Sequence, residues 1–229
     1  MERFQRNIQI PGFGIESQHK LEKARVLVIG AGGLGSPVLY YLAAAGIGTI
    51  GIVDYDTVDI TNLQRQVIHT TNDIGRNKAV SASEKLKALY PDIAINVYPE
   101  KFTGTNAAQL VNSYDFTIDC CDNFAAKFLI NDTCVKQGKA YSHGAVSEMR
   151  GEVMTYIPGT ANYRNLYETQ PQDSEMKKGI LGGVAGIIGS IQAVEAIKYI
   201  TGLGELITNR ILIFDALTMS FSTLSLQKG

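Results

Sequence analysis

The segment Gly30-Ala31-Gly32-Gly33-Leu34-Gly35 spaces its glycines as GxGxxG. Between a strand and a helix, such glycines permit a tight turn and a close approach of backbone to phosphates at the helix N-terminus. Asp54 follows 24 residues after Gly30, where an acid meets a ribose hydroxyl. Together they indicate an adenine nucleotide; the other reading is a glycine turn kept for packing. Next come Thr61-Asn62-Leu63-Gln64-Arg65-Gln66 and Arg76-Asn77-Lys78. Loops after parallel strands face the ligand crevice, so Arg65 and Lys78 would set two cations beside the nucleotide. Taken singly, each reads as well as a solvated surface charge. A last candidate is Asp122 in Asp119-Cys120-Cys121-Asp122-Asn123. One carboxylate there suits Mg²⁺ bound to phosphate, since magnesium takes one or two carboxylates plus phosphate oxygens. An Asp-Asn pair ahead of a helix is also a good N-cap, and Asn123 is the better cap of the two. His19, His69 and His143 have no recognisable partners and read as structural. A dehydrogenase would lack its proton-transfer residue.

Elements that present these residues can be read from periodicity. Arg25–Ile29, Thr49–Val53, Ile93–Val97 and Phe116–Asp119 read as strands, and Ala140–Ser142 starts a fifth. Helices are predicted over Ser36–Ala45, Asn77–Leu89, Thr105–Asn112 and Ala125–Lys136. Strand and helix alternate from 25 to 142, which predicts a parallel sheet with crossover helices. Gly151–Ile157 then alternates like an antiparallel strand, Val184–Ile200 is a long helix, and Ile211–Phe214 with Ser220–Leu226 closes the chain as a strand pair. The expected fold is α/β: a doubly wound, mostly parallel Rossmann-like sheet continuing into an antiparallel part in the C-terminal third. It divides as an N-terminal arm (1–24), a nucleotide-binding core (25–142) and a mixed-sheet part (143–229) within one domain. Residues 158–178 show no periodicity. A connection of that length is either functional, here a crossover covering an incoming substrate tail, or a tolerated insertion.

Composition removes other classes. Hydrophobic residues make up 45%, enough for a core, so wholesale disorder is excluded. Lys and Arg number 21 against 22 acidic residues, so no net positive field favours nucleic acid or anionic lipid. Three cysteines (Cys120, Cys121, Cys134) make no disulfide framework, and no CxxC pair supports a zinc site. The opening has no apolar core of signal-peptide length. The apolar run Gly179–Ile191 has 13 residues, short of the about 20 a membrane span needs. It reads as a buried helix whose Gly182, Gly186 and Gly189 let another backbone approach. The expected location is the cytoplasm.

The motifs jointly resemble the HesA/MoeB/ThiF adenylating enzymes, relatives of ubiquitin-activating enzymes, over essentially the whole chain. The resemblance runs through Arg3-Phe4-Gln5-Arg6-Asn7, Gly30–Gly35, Asp54-Tyr55-Asp56-Thr57-Val58, Asn62-Leu63-Gln64-Arg65-Gln66 and Gly75-Arg76-Asn77-Lys78-Ala79. It continues through Asp119–Asn123 to Gly189–Lys198. It implies an ATP-dependent adenylyltransferase acting, with Mg²⁺, on the C-terminal Gly-Gly carboxylate of a small ubiquitin-like sulfur-carrier protein. Carried over, the ATP site comprises Gly30, Gly32, Gly33, Gly35, Asp54 (ribose), Asn62, Gln64, Arg65, Lys78, Asp122 and Asn123. Arg65 and Lys78 neutralise phosphate charge and Asp122 organises Mg²⁺. Arg6 matches the arginine that family dimers insert into the neighbouring subunit's site, which implies a homodimer.

Two departures qualify this. Where many members begin a zinc-binding CxxC, this chain reads Asn162-Tyr163-Arg164-Asn165, and Ser225–Gly229 has no second pair. No zinc is expected. Nor does Glu168–Gly179 contain the cysteine that in some members receives the acyl group. Cys120, Cys121 and Cys134 read as small buried residues, with Cys121 the one to watch beside Asp122. The alternatives are adenylation of a peptide or tRNA-bound carboxylate, and a non-catalytic nucleotide-binding regulator of the same fold.

Overall fold

A computed structural model describes residues 2–172 and 179–227. Its eight strands are β1 (Arg25–Ile29), β2 (Thr49–Val53), β3 (Ala94–Tyr98), β4 (Phe116–Asp119), β5 (Ala140–Ser147), β6 (Arg150–Tyr156), β7 (Arg210–Asp215) and β8 (Ser220–Ser225). They form one sheet in the order β3-β2-β1-β4-β5-β6-β7-β8. The first five are parallel and the last three add antiparallel. The expected doubly wound sheet with an antiparallel continuation is therefore what the chain forms. Strand order reverses between β1 and β4, and an open α/β sheet leaves its ligand crevice at that point.

Helices α3 (Gly35–Ala45), α4 (Lys78–Leu89) and α7 (Gly182–Thr201) share one face of the sheet, where α3 packs on both α4 and α7. Helices α5 (Ala107–Asn112) and α6 (Phe124–Gln137) cover the other. The N-terminal arm holds two further helices, α1 (Gln5–Ile8) and α2 (Gly14–Lys23). The sequence hid α2 because its buried face includes Ser17 and Gln18 beside Leu21, which blurs the apolar period.

Local chemistry sets the ends nearest the crevice. Asn77 caps α4 by accepting the Val80 amide at 3.1 Å, and Asn123 caps α6 by accepting the Ala126 amide at 2.9 Å. By length and composition α7 is the one described helix able to cross a membrane. It does so only on paper. Val184, Ala185, Ile188, Gln192, Ala193, Glu195 and Ala196 are buried in this fold, and the helix lies on β5 and β6. A Cβ on Gly189 would overlap the Leu34 carbonyl and Pro37, and one on Gly182 would stand 2.6 Å from the Gln64 carbonyl oxygen. Those two glycines permit close packing as expected. Gly186 does not, since nothing stands within 4 Å of its Cβ position. It lines a surface groove instead.

Candidate nucleotide site

The glycine turn leaves β1 at the switch point. Gly30 has φ +100°, and a Cβ there would lie 2.7 Å from the Cys120 carbonyl oxygen, so the loops after β1 and β4 touch only because this residue is glycine. A Cβ on Gly35 would overlap the Gly30 carbonyl oxygen. Gly33 has looser surroundings: its Cβ position lies 3.4 Å from Ala185 and 3.5 Å from the Arg65 side chain. The aliphatic stem of Arg65 thus lies along the turn, while its guanidinium donates to the Thr61 carbonyl at 3.2 Å.

Asp54 ends β2 and grips the turn. Its Oδ2 accepts the Ala31 amide at 2.7 Å and its Oδ1 the Asp56 amide at 2.9 Å. Burial raises its pKa above the ordinary carboxylate value, against the opposing pull of those two amides and of Lys78. The Asp54 carboxyl is therefore already oriented by two backbone amides. The loop beyond it is pinned to the start of α4. Asn77 donates to the carbonyls of Asp54 and Asp56 at 3.0 and 3.2 Å, and the Lys78 amide donates to Asp56 at 2.9 Å. Lys78 Nζ pairs with Asp56 Oδ2 at 3.1 Å. Asn62 closes a 3-10 turn, Ile60–Asn62, through a capping box with Asp59. Gln64 donates to the Ile180 carbonyl at 3.5 Å and so ties this loop to the chain entering α7. Gln66, absent from the expected set, is buried next to Gly32 with its Oε1 unpartnered.

Across the crevice, Asp122 is exposed, and its Oδ1 is 3.5 Å from the Asn123 amide. The cap role belongs to Asn123, so the Asp122 carboxylate is not the helix cap. Among the described residues no three His, Cys, Asp or Glu side chains converge as a metal cluster. One exposed carboxylate is chemically compatible with Mg²⁺, which keeps waters and phosphate oxygens as its other ligands. Zinc does not fit at 162–165. Asn162 and Asn165 form a capping box around the 3-10 turn Tyr163–Asn165, and Arg164 pairs with Asp132 at 2.6 Å. Residues 173–178 of the expected crossover lie outside the described residues.

Arg6 is not in this crevice. Phe4 is buried against Gly46 just past the end of α3, whereas Gly35 at its start abuts Gly30. The 11 residues of α3, about 16 Å, separate the arm from its own chain's site.

The cysteines and histidines are placed as follows. Cys120 and Cys134 are buried; Cys121 is half-buried, with its thiol 3.6 Å from the Ile29 carbonyl. Burial lifts all three thiols above the ordinary value, which opposes a thiolate nucleophile. His69 bridges the Ser81 hydroxyl and the Ala31 carbonyl, both at 2.9 Å, and so supports the glycine turn from below. A carbonyl only accepts, so Nε2 carries the proton. His143, read from the sequence as partnerless, stands between Asp119 and Glu152. No spacing signals that contact, because the three residues sit on three different strands.

The fold is that of a doubly wound α/β protein, with the candidate ligand site at the loops after β1, β2 and β4. The chain belongs to the ThiF family, whose model matches residues 4–229. It is 45% identical over 235 residues to a probable adenylyltransferase/sulfurtransferase MoeZ of Mycobacterium tuberculosis, covering 99% of this chain and 60% of that protein. It is 37% identical to a sulfur carrier protein adenylyltransferase of Thermus thermophilus, covering 100% of this chain and 88% of that one. The chain thus spans about three-fifths of the MoeZ relative and most of the Thermus one. Among solved structures, Escherichia coli MccB with MccA-N7isoASN superposes with a TM-score of 0.90 over 99% of this chain and 72% of that chain. At 22% identity that likeness shows the fold.

Proposed function

We propose that this chain binds ATP·Mg²⁺ and transfers AMP to the C-terminal Gly-Gly carboxylate of a small ubiquitin-like sulfur-carrier protein. What supports this reading is the build of one glycine turn: Arg65 lies against Gly33, the Cys120 carbonyl of the loop that carries exposed Asp122 lies against Gly30, and Asp54, two residues before the Lys78 partner Asp56, holds the Ala31 amide. In adenylation a carboxylate oxygen bonds to the α-phosphorus. The bond from that phosphorus to the bridging oxygen breaks, and pyrophosphate leaves with the electron pair. The nucleophile is already ionised, so the chain needs no general base. Its work is to position ATP and to offset phosphate charge. Asp54 and the turn hold the ribose and the phosphate chain. Asn62, Arg65 and Lys78 donate to phosphate oxygens as charge moves to the leaving group. Asp122 would hold Mg²⁺, which when bound would offset the charge on those oxygens. Glu168–Gly179 carries no cysteine and burial disfavours the thiolate at Cys120, Cys121 and Cys134, which supports the adenylate itself as the product this chain forms.

The position of Arg6, a helix length from its own crevice, supports the view that it serves a second subunit. An apolar groove between α3 and α7, lined by Pro37, Tyr40, Tyr41, Val67 and Ile187, offers a face for that subunit. Such a reaction belongs in the cytoplasm with its ATP.

ATP–pyrophosphate exchange tests the proposal. With Mg²⁺ and a panel of Gly-Gly-tailed carriers, exchange should appear with one class of carrier and vanish when its terminal glycine is removed. Exchange supported by a short free peptide but by no carrier would replace the carrier with a peptide substrate.

A further inference from the structure

Four titratable side chains meet beneath the turn that carries Asp122, and the reaction above uses none of them. Asp119 ends β4, Lys127 lies one turn into α6, His143 is on β5 and Glu152 on β6. Asp119 Oδ2 accepts from Lys127 Nζ at 3.2 Å and from His143 Nδ1 at 2.9 Å. His143 Nε2 faces Glu152 Oε1 at 3.4 Å, and Lys127 Nζ also donates to the Gly144 carbonyl at 2.6 Å. Asp119, Lys127 and His143 are all at least 95% buried.

Ionic groups in such a place are expensive. Apolar side chains of similar volume commonly serve stability as well or better. The surrounding core, with Ile118, Phe128 and Met154, shows that apolar residues suit this region. The cluster has two outlets. One is Asp119 Oδ1, which accepts the Cys121 amide at 3.0 Å and so fixes the first half of the Cys120–Asn123 turn. Asn123, as the α6 cap, fixes the second half. Asp122 stands between the two clamps. The other outlet is Tyr163, whose ring lies 4.4 Å from that of His143.

We infer that the buried cluster Asp119–Lys127–His143–Glu152 is a positioning device that aims the Asp122 carboxylate at the metal–phosphate site. His143 acts as a positioning residue through Asp119. The inference rests on the reading that Asp122 holds Mg²⁺. Lys127 and His143 orient the Asp119 carboxylate, Asp119 holds the turn, and Glu152 holds the far side of the imidazole. Partners that hydrogen-bond a metal ligand directly alter metal affinity by about 10–100-fold when removed; His143 acts further out, through Asp119 and the turn, so its effect belongs at the low end of that range.

The test compares His143→Phe, which keeps a ring against Tyr163 but no nitrogen, with His143→Asn, whose amide can replace the Nδ1 donor. The readouts are the Mg²⁺ concentration for half-maximal ATP–pyrophosphate exchange and, separately, calorimetric binding of ATP with and without Mg²⁺. His143→Phe should raise the Mg²⁺ requirement about tenfold while Mg²⁺-free ATP binding stays within twofold, and His143→Asn should restore most of the loss. An unchanged Mg²⁺ requirement in His143→Phe overturns the inference. So does an equal loss of Mg²⁺-free binding, which marks a purely structural role. If His143→Phe does not fold, Lys127→Gln is read by the same criteria. Asp122→Asn assayed alongside separates the two levels. If it leaves the Mg²⁺ requirement unchanged, the reading of Asp122 fails; if it raises the requirement and His143→Phe does not, only the positioning role fails.

Discussion

Lys78 Nζ and Asp56 Oδ2, from residues 22 apart in sequence, form an ion pair of 3.1 Å at the crevice. The Lys78 side chain is 8% exposed and the Asp56 side chain 48%. The lysine is thus held in place by packing, while its partner is half in water. ATP phosphates carry more charge than one carboxylate and should take the ammonium over. Lys78→Ala is expected to lower ATP–pyrophosphate exchange by about 100-fold or more. It leaves Asp56 solvated but also removes a packed lysine stem, so the melting temperature should fall by a few degrees while the protein stays folded. Asp56→Asn should keep exchange within about threefold, since the pair it removes is the one ATP displaces. Steady-state exchange and thermal melts of both variants check this.

Gly33 and Gly35 differ in what a methyl group would meet. At Gly35 it overlaps the Gly30 backbone oxygen; at Gly33 it reaches ordinary contact distances. Gly35→Ala should therefore fail to fold or lose several kcal/mol of stability. Gly33→Ala should fold normally and lose ATP affinity, because its methyl enters the space that phosphates need. Melts with calorimetric ATP titration distinguish the two. Similar stabilities for both variants would count against the close packing described for Gly35.

The separation of Arg6 from its own site makes a complementation test decisive. Arg6→Ala and Asp122→Ala should each be inactive alone. Mixed and allowed to exchange subunits, they should recover about a quarter of wild-type activity, since half the dimers then hold one complete site of two. No recovery, with hybrids verified by mass spectrometry, would remove the shared site.

His69 gives the protein an acid-sensitive support for the glycine turn. Burial lowers its pKa below the ordinary histidine value near 6.5, so the folded form keeps it neutral where the unfolded chain takes up a proton. The unfolded state then binds more protons, and stability falls as pH drops below about 6.5. This window lies above the one where Asp73 and Asp119 contribute. Both are buried, yet hydrogen bonds and charge from Lys85 and Thr70 for the first, and from Lys127 and His143 for the second, hold their pKa values low. Their stabilisation is lost only as pH falls through the carboxylate range. Melts between pH 7.5 and 5 should decline for the wild type and flatten for His69→Gln, whose amide keeps a donor for Ala31.

Much of the frame could be read from the chain because its signals are local. Strands β1, β2 and β4 are buried apolar runs ended by Gly30, Asp54 and Cys120, and periodicity places their limits at the observed residues. The turns at Gly30–Gly35 and Asn62–Gln66 carry their chemistry in consecutive residues. What stayed hidden is what depends on tertiary neighbours. Asp56 gives no sign that Lys78 will reach it. His143 meets Asp119 only because β5 pairs with β4 in that register, and Glu152 only because β6 returns antiparallel. Gly186 shows the converse error: it shares the spacing of Gly182 and Gly189, but no element packs on it.

Formation of a carrier adenylate is the central claim, and intact-mass spectrometry of the carrier reads it directly. Incubated with ATP, Mg²⁺ and the wild-type chain, a Gly-Gly-tailed carrier should gain the mass of one adenylyl group (AMP less one water) while pyrophosphate accumulates. Lys78→Ala and Asp122→Ala should show neither. A carrier that stays unmodified while calorimetry shows ATP bound would contradict adenylyl transfer and leave a nucleotide-binding protein without this reaction.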